Sequence, residues 1–185
     1  MKKHSIKAHL ATYSIHQKRS TTINHAFASA IAPVDKYDPV KLAQAIQLLD
    51  QDPDGDLKCV YCGSEATTWD HLVGLVEKGE LRGYGHQIGN LLPCCRSCNS
   101  KKGAKCWKDY LRQEIHDQSA FEAKSKIIVR YIDRYAVPVN LKRTAEIWPA
   151  KWARYRAIKE EIFNLMKEAD GIADDLRGVV AAKDE

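Results

Sequence analysis

Four of the six cysteines fall into two Cys-x-x-Cys pairs, Cys59/Cys62 and Cys95/Cys98, with 32 residues between them. A knuckle of this spacing turns two thiols toward one point. Two knuckles supply the four corners of a tetrahedral zinc ion. A site filled by four thiolates has no open position, so the metal it predicts is structural rather than catalytic. It would tie two distant chain segments together in a module too small to rely on its core. The same pattern argues against a disulfide framework and for an intracellular setting. Cys94 and Cys106 are left over and read as small buried hydrophobes. Cys94 could stand in for Cys95, but only Cys95 keeps the two-residue spacing to Cys98.

The 185 residues suffice for one domain with a core, or for a small module with helical flanks. No stretch approaches the roughly 20 apolar residues of a membrane span. The apolar run Ala26–Val34 is alanine-rich and follows a long polar lead, which is a poor signal-peptide core. The expected address is the cytoplasm, with no membrane partner. The net charge of +5 is unevenly placed. Lys2, Lys3, Lys7, Lys18 and Arg19 stand in the first 34 residues, which hold no acid. Arg96, Lys101, Lys102, Lys105, Lys108 and Arg112 face one acid, Asp109, whereas residues 157–185 carry eight acids and four bases. Local basic patches suit a polyanion, although a solvated charged face has the same composition.

Asp38-Pro39 predicts a helix start, with Val40, Leu42, Ala43, Ile46 and Leu49 as its apolar stripe. The turn cluster Gln51–Asp56 ends it. Leu57–Tyr61 and Ala66–Leu72 read as short strands, Glu77–His86 as a loop, and Ser100–Gln113 and 120–135 as helices. A last long helix starts at Trp148-Pro149 and is expected to stop at Gly171. Residues 1–38 show no clean period and read as an arm or a loosely packed subdomain. The expected fold is α+β and mostly helical. It divides into a basic arm and helix at 1–56, a metal module at 57–113 and a helical region at 114–185.

Between the knuckles stands Asp70-His71. A carboxylate can hold a hard divalent cation, and a neutral imidazole can take a proton from water near neutral pH. Adjacent strand residues face opposite sides, so one of the two must turn at a strand end to share a site. Asn99 follows the second knuckle, where it could cap a helix or offer its amide oxygen to the same cation.

The run Cys59-Val-Tyr-Cys62, then Asp70-His71, then Gly89-Asn90-Leu91-Leu92-Pro93-Cys94-Cys95-Arg96-Ser97-Cys98-Asn99-Ser100-Lys101-Lys102-Gly103 resembles the His-Asn-His (HNH) nuclease signature. It is most similar to the bacterial and phage branch with four zinc-binding cysteines. The resemblance implies a ββα-metal fold, in which two strands and a helix clasp one catalytic cation with the zinc behind them. It casts His71 as the general base, and Asp70 and Asn99 as ligands of a catalytic Mg²⁺ or Mn²⁺. Asn90 becomes the middle Asn, which fixes the loop and orients the base. The implied activity is hydrolysis of DNA to 5′-phosphate and 3′-hydroxyl ends. Val73-Gly74-Leu75-Val76 departs from the Gly-Gly and Pro that often follow the first His, so the loop up to Asn90 is the loosest part of the mapping. His86, in that loop, reads as a plain loop histidine.

Lys101, Lys105, Lys108 and Arg112 would form a phosphate-binding stripe if residues 100–113 were one helix, with Lys102 beside it. Lys142, Arg143, Lys151, Arg154, Arg156 and the N-terminal arm are weaker DNA-binding candidates. The expected role is a restriction or other defence endonuclease. A phage or mobile-element nicking or homing enzyme, or a non-catalytic zinc-knuckle DNA-binding protein, are the competing readings. One site cuts one strand, so a homodimer through the C-terminal helix would make a double-strand break.

Overall fold

A computed structural model of the chain describes residues 3–181; Lys2 of the basic arm and residues 182–185 lie outside the described residues. The fold is α+β and mostly helical, with a central ββα region between N- and C-terminal helices. The chain separates into two compact units, residues 28–141 and residues 1–27 with 142–185. Within the first, the helices on either side of the metal module share its core.

In the unit 28–141, helix α2 (Pro39–Leu48) starts where expected. Asp38 Oδ1 accepts from the Val40 and Lys41 amides at 3.0 Å, and Pro39 occupies the first turn. Ala45, Ile46 and Leu49 then point into the core. The expected strand Leu57–Tyr61 does not form. Lys58 makes only an isolated bridge to Glu65, and the chain closes into a knuckle through Cys59 N–H to Ser64 O and Gly63 N–H to Cys59 O. Gly63 sits at φ 76°, a backbone conformation that suits glycine.

The two central strands are β1 (Thr68–His71) and β4 (Leu91–Cys94), antiparallel, with Asp70 opposite Leu92 and His71 opposite Leu91. A two-stranded hairpin, β2 (Val76–Glu77) and β3 (Glu80–Leu81), occupies part of the segment expected to be loop. Lys78 and Gly79 turn it with positive φ. Helix α3 (Arg96–Lys102) completes the ββα unit and is capped by Cys95, whose Sγ accepts from the Cys98 amide.

The helix expected over 100–113 is broken. Helix α3 ends at Gly103 (φ 48°), and α4 (Trp107–Glu114) begins only after Cys106. Helix α5 (Gln118–Tyr135) follows, capped by Asp117. Ile128 and Tyr131 of α5, Ile46 of α2 and its C-cap Leu49, Leu92 of β4, and Tyr110 and Leu111 of α4 form one buried cluster with Cys59 and Cys98. Tyr131 Oη lies 2.6 Å from the Ile88 carbonyl and 2.7 Å from the Leu91 carbonyl, and its one proton can be donated to either. Gly89 lies so close that an added Cβ would meet the α5 backbone at 2.4 Å. This packing fixes the segment entering β4.

Residues that read as an arm form α1 (Ile15–Ile31), whose residues up to Phe27 belong to the other unit. Its start is capped from far along the chain. Asp170 accepts from the Ile15 amide at 2.6 Å, the His16 amide at 3.0 Å and the Ser14 hydroxyl at 2.7 Å. These donors, the hydroxyl first, hold its carboxyl below the usual carboxylate range. The long helix α7 (Pro149–Ala181) supplies Asp170 and packs Tyr155 on Phe27 and Phe163 on His16. It passes through Gly171, where a stop was expected. One interior glycine costs about 1 kcal/mol, which a helix of this length absorbs. No helix among the described residues is long and apolar enough to cross a membrane.

Candidate active site

Strand alternation arranges the site. Trp69 is exposed, Asp70 buried and His71 half-buried, so Trp69 and His71 share the outer face of β1 while Asp70 faces inward. Asp70 and His71 leave opposite faces of β1 at its last two positions, where the strand ends.

Inside, the Asp70 carboxylate engages both oxygens. Tyr61 Oη donates to Oδ2 at 2.9 Å, and Lys102 Nζ donates to Oδ1 at 3.1 Å. Burial raises the Asp70 pKa and outweighs the opposing pull of the Lys102 ammonium. Lys102 also donates to the His71 carbonyl at 2.8 Å, so one ammonium pins the end of β1 to α3. The expectation that Lys102 contacts phosphate does not fit this position, because its side chain is 2% exposed. Replacing Lys102 by methionine would leave a buried carboxylate without its counter-charge. The expected cost is about 3–5 kcal/mol of stability, read as a lower urea midpoint. An unchanged midpoint would mean that the pair contributes nothing.

Asn99 lies half-buried within α3, one turn before Lys102. It is not the helix cap, which Cys95 provides. It shares with Lys102 the helix that packs on β1.

Outside, His71 Nε2 stands 3.1 Å from His86 Nδ1, with the rings at 69°. His86 is held by its backbone. Its amide donates to Pro33 O, and its carbonyl accepts from the Asp35 amide. Fully buried Asn90 links the two histidine segments. Its Oδ1 accepts from the Val73 amide at 2.8 Å, and its Nδ2 donates to the carbonyls of Val73 and Gly85. The loop that departs from the family pattern is thus bound at both ends to one side chain.

The four thiols of Cys59, Cys62, Cys95 and Cys98 lie within 4.8 Å of one another. Cys62 and Cys95 are 3.8 Å apart. Thiolates about 2.3 Å from a zinc ion stand about 3.8 Å apart at tetrahedral corners, so the donor set fits. Cys94 lies outside the cluster, fully buried, with its thiol 3.9 Å from Cys59 Sγ. The Cys94 contact favours the Cys59 thiolate, drawing its pKa down to about 4.

The basic residues separate. Lys101, Lys105, Lys108 and Arg112 are exposed, but Lys101 is on α3, Lys105 in the connector, and Lys108 and Arg112 on α4. Lys105 stacks over Tyr110. The Arg112 guanidinium donates to the carbonyls of Ile115 and His116 at the end of α4. Tyr61, His86 and the inward Lys102 are the participants that sequence reasoning missed or misplaced. Lys102 had a usable signal, being one helical turn beyond Asn99. The approach of His86 to His71 depends on loop packing that no spacing rule describes.

Residues 59–105 match the model of the HNH endonuclease family. Residues 59–105 therefore form an HNH endonuclease domain, and the four-cysteine cluster is consistent with a zinc-binding branch. The match takes in both knuckles, β1, β4 and α3 and leaves the flanking helices outside. Searches of curated proteins and of solved structures gave no match.

Proposed function

We propose that the chain is a metal-dependent DNA endonuclease that hydrolyses phosphodiester bonds to 5′-phosphate and 3′-hydroxyl ends. The observation that carries this reading is the pair His71–His86 on the open face of β1, backed by Asp70 and Asn99 toward α3.

Either ring can carry the proton shared between His71 and His86. His71 is the imidazole suited to take a proton from water, with His86 Nδ1 3.1 Å from its Nε2. His86 then holds the ring angle and stabilises the imidazolium that forms, as an orienting partner does in other base-assisted sites. Asn90 keeps the two histidine segments at their spacing.

Asp70 Oδ1 and the Asn99 amide oxygen are the donors suited to a hard cation, and Lys102 must yield that carboxylate oxygen for one to bind. A Mg²⁺ or Mn²⁺ held there would supply Lewis-acid chemistry at the scissile phosphate. Lys101, Lys105 and Lys108 hold the phosphate backbone, with Arg112 beside them, so binding weakens with salt.

The test is cleavage of supercoiled plasmid with Mg²⁺ or Mn²⁺, alongside His71→Ala. Metal-dependent cutting lost in the variant supports the reading, and discrete fragments support a restriction or defence role over a nicking one. Salt-dependent binding without cutting on plasmid, phage or single-stranded DNA would leave the zinc-knuckle binding protein.

A homodimer through α7 is part of this proposal. Ile158, Ile162, Leu165, Ala169, Ile172, Leu176 and Val179 alternate at spacings of three and four, a heptad seam. Leu165, Ile172, Leu176 and Val179 are 54–63% exposed. Glu161, Glu168 and Asp175 flank the seam on one side, so antiparallel copies would set acids against acids, and the parallel pairing is favoured. Sedimentation should give a dimer that Leu176→Lys converts to a folded monomer. A monomer at all concentrations would refute the pairing.

A further inference from the structure

The strand that carries His71 also presents an aromatic wall. We infer that the cleft beside the histidine pair receives one unstacked base of the DNA strand being cut, an inference that rests on the nuclease reading. The cleft, about 320 Å³, has Tyr37, Trp69 and His86 as walls and Leu42, Ile88 and Leu91 as its apolar lining. Trp69 is 41% exposed and Tyr37 82% exposed, although such rings would normally bury more of their surface.

The geometry connects this cleft to the reacting centre. Trp69 and His71 project from the same face of β1, and Leu91 is the cross-strand partner of His71. His86 both lines the cleft and stands 3.1 Å from His71 Nε2. A base seated there would bring its own phosphate to the histidine pair.

The size and charge fit a base. The volume is at the small end of ligand pockets, enough for one base and too small for a base pair with its backbones. Asp35, the acid at the cleft, is offset by the Lys41 ammonium at 3.0 Å and accepts from the Ile88 amide, which weakens its repulsion of a polyanion. Lys36 is exposed at the rim and available to a phosphate. In a duplex both faces of a base are covered by its neighbours. An aromatic wall can therefore stack only on a base that has left the helix or belongs to a single strand. Stacking of this kind tolerates any base, so the cleft selects unpaired structure rather than sequence.

The experiment uses the full chain loaded with zinc, with Ca²⁺ replacing the catalytic metal. Anisotropy would follow fluorescein-labelled single-stranded and duplex oligonucleotides of equal length. The natural protein should bind the single strand more tightly than the duplex. Trp69→Ala should weaken single-strand binding about tenfold to a hundredfold with an unchanged salt slope, Tyr37→Ala should weaken it less, and Trp69→Phe should retain most of it. Trp69→Ala and Trp69→Phe losing affinity equally together with a lowered Tm would overturn the proposal by showing a structural role. Salt-dependent DNA binding unaffected by Trp69→Ala and Tyr37→Ala would overturn the cleft and leave the nuclease standing. Absence of binding to either DNA would remove both.

Discussion

Removal of zinc, by a strong chelator or by Cys98→Ser, is expected to unfold the unit 28–141 rather than merely lower its activity. The four thiols join the knuckle before β1 to the start of α3, and no disulfide or long strand among the described residues duplicates that tie. Cys59 and Cys98 are themselves members of the buried cluster that holds Tyr110, Leu111, Ile128 and Tyr131. Loss of the knot therefore frees α4 and α5 as well as the site. A structural zinc contributes about 10–16 kcal/mol of apparent binding energy, and a domain has only about 5–15 kcal/mol of stability. The protein should carry one zinc in its four-cysteine cluster, and circular dichroism should lose its cooperative melt when that zinc leaves. A chelated protein that melts as before would show that the core alone sustains the fold.

His71→Ala is expected to lower metal-dependent DNA cleavage by about 10²–10⁴-fold while DNA binding persists. The side chain is half-buried on the outer face of β1, and its loss leaves the Leu91 pairing, the Lys102 bond to its carbonyl and the Asn90 ties in place. The fall should therefore appear in the single-turnover rate and not in Tm or zinc content. A rate within a few-fold of the natural protein would assign the base to another group.

Features written in contiguous residues are legible in the sequence. The two knuckles, the Asp38-Pro39 helix start, the α5 stripe and the Asp70-His71 and Asn99 positions all depend on short spacings. Strand β4 is less visible. Leu91-Leu92-Pro93-Cys94 shows no alternation, and proline is unusual in a strand, so only its pairing with β1 identifies it. Helix α1 carries one local signal, Ser14, whose Oγ accepts from the Gln17 amide at 3.1 Å, but the Ile15 and His16 amides are capped by Asp170, 155 residues from Ile15. The helix expected over 100–113 fails at Gly103, where a positive φ ends α3.

The four-cysteine cluster and the family of the central module are legible in the sequence, since both are patterns of residue type at fixed short separations. Tertiary structure alone decided which way those residues face. It buried Lys102 against Asp70, set His86 against His71, and aligned Trp69 with the open face of β1. Each of these outcomes depends on segments brought together by packing. Orientation about a strand and contact across a fold are properties of the folded core, and a one-dimensional spacing does not encode them.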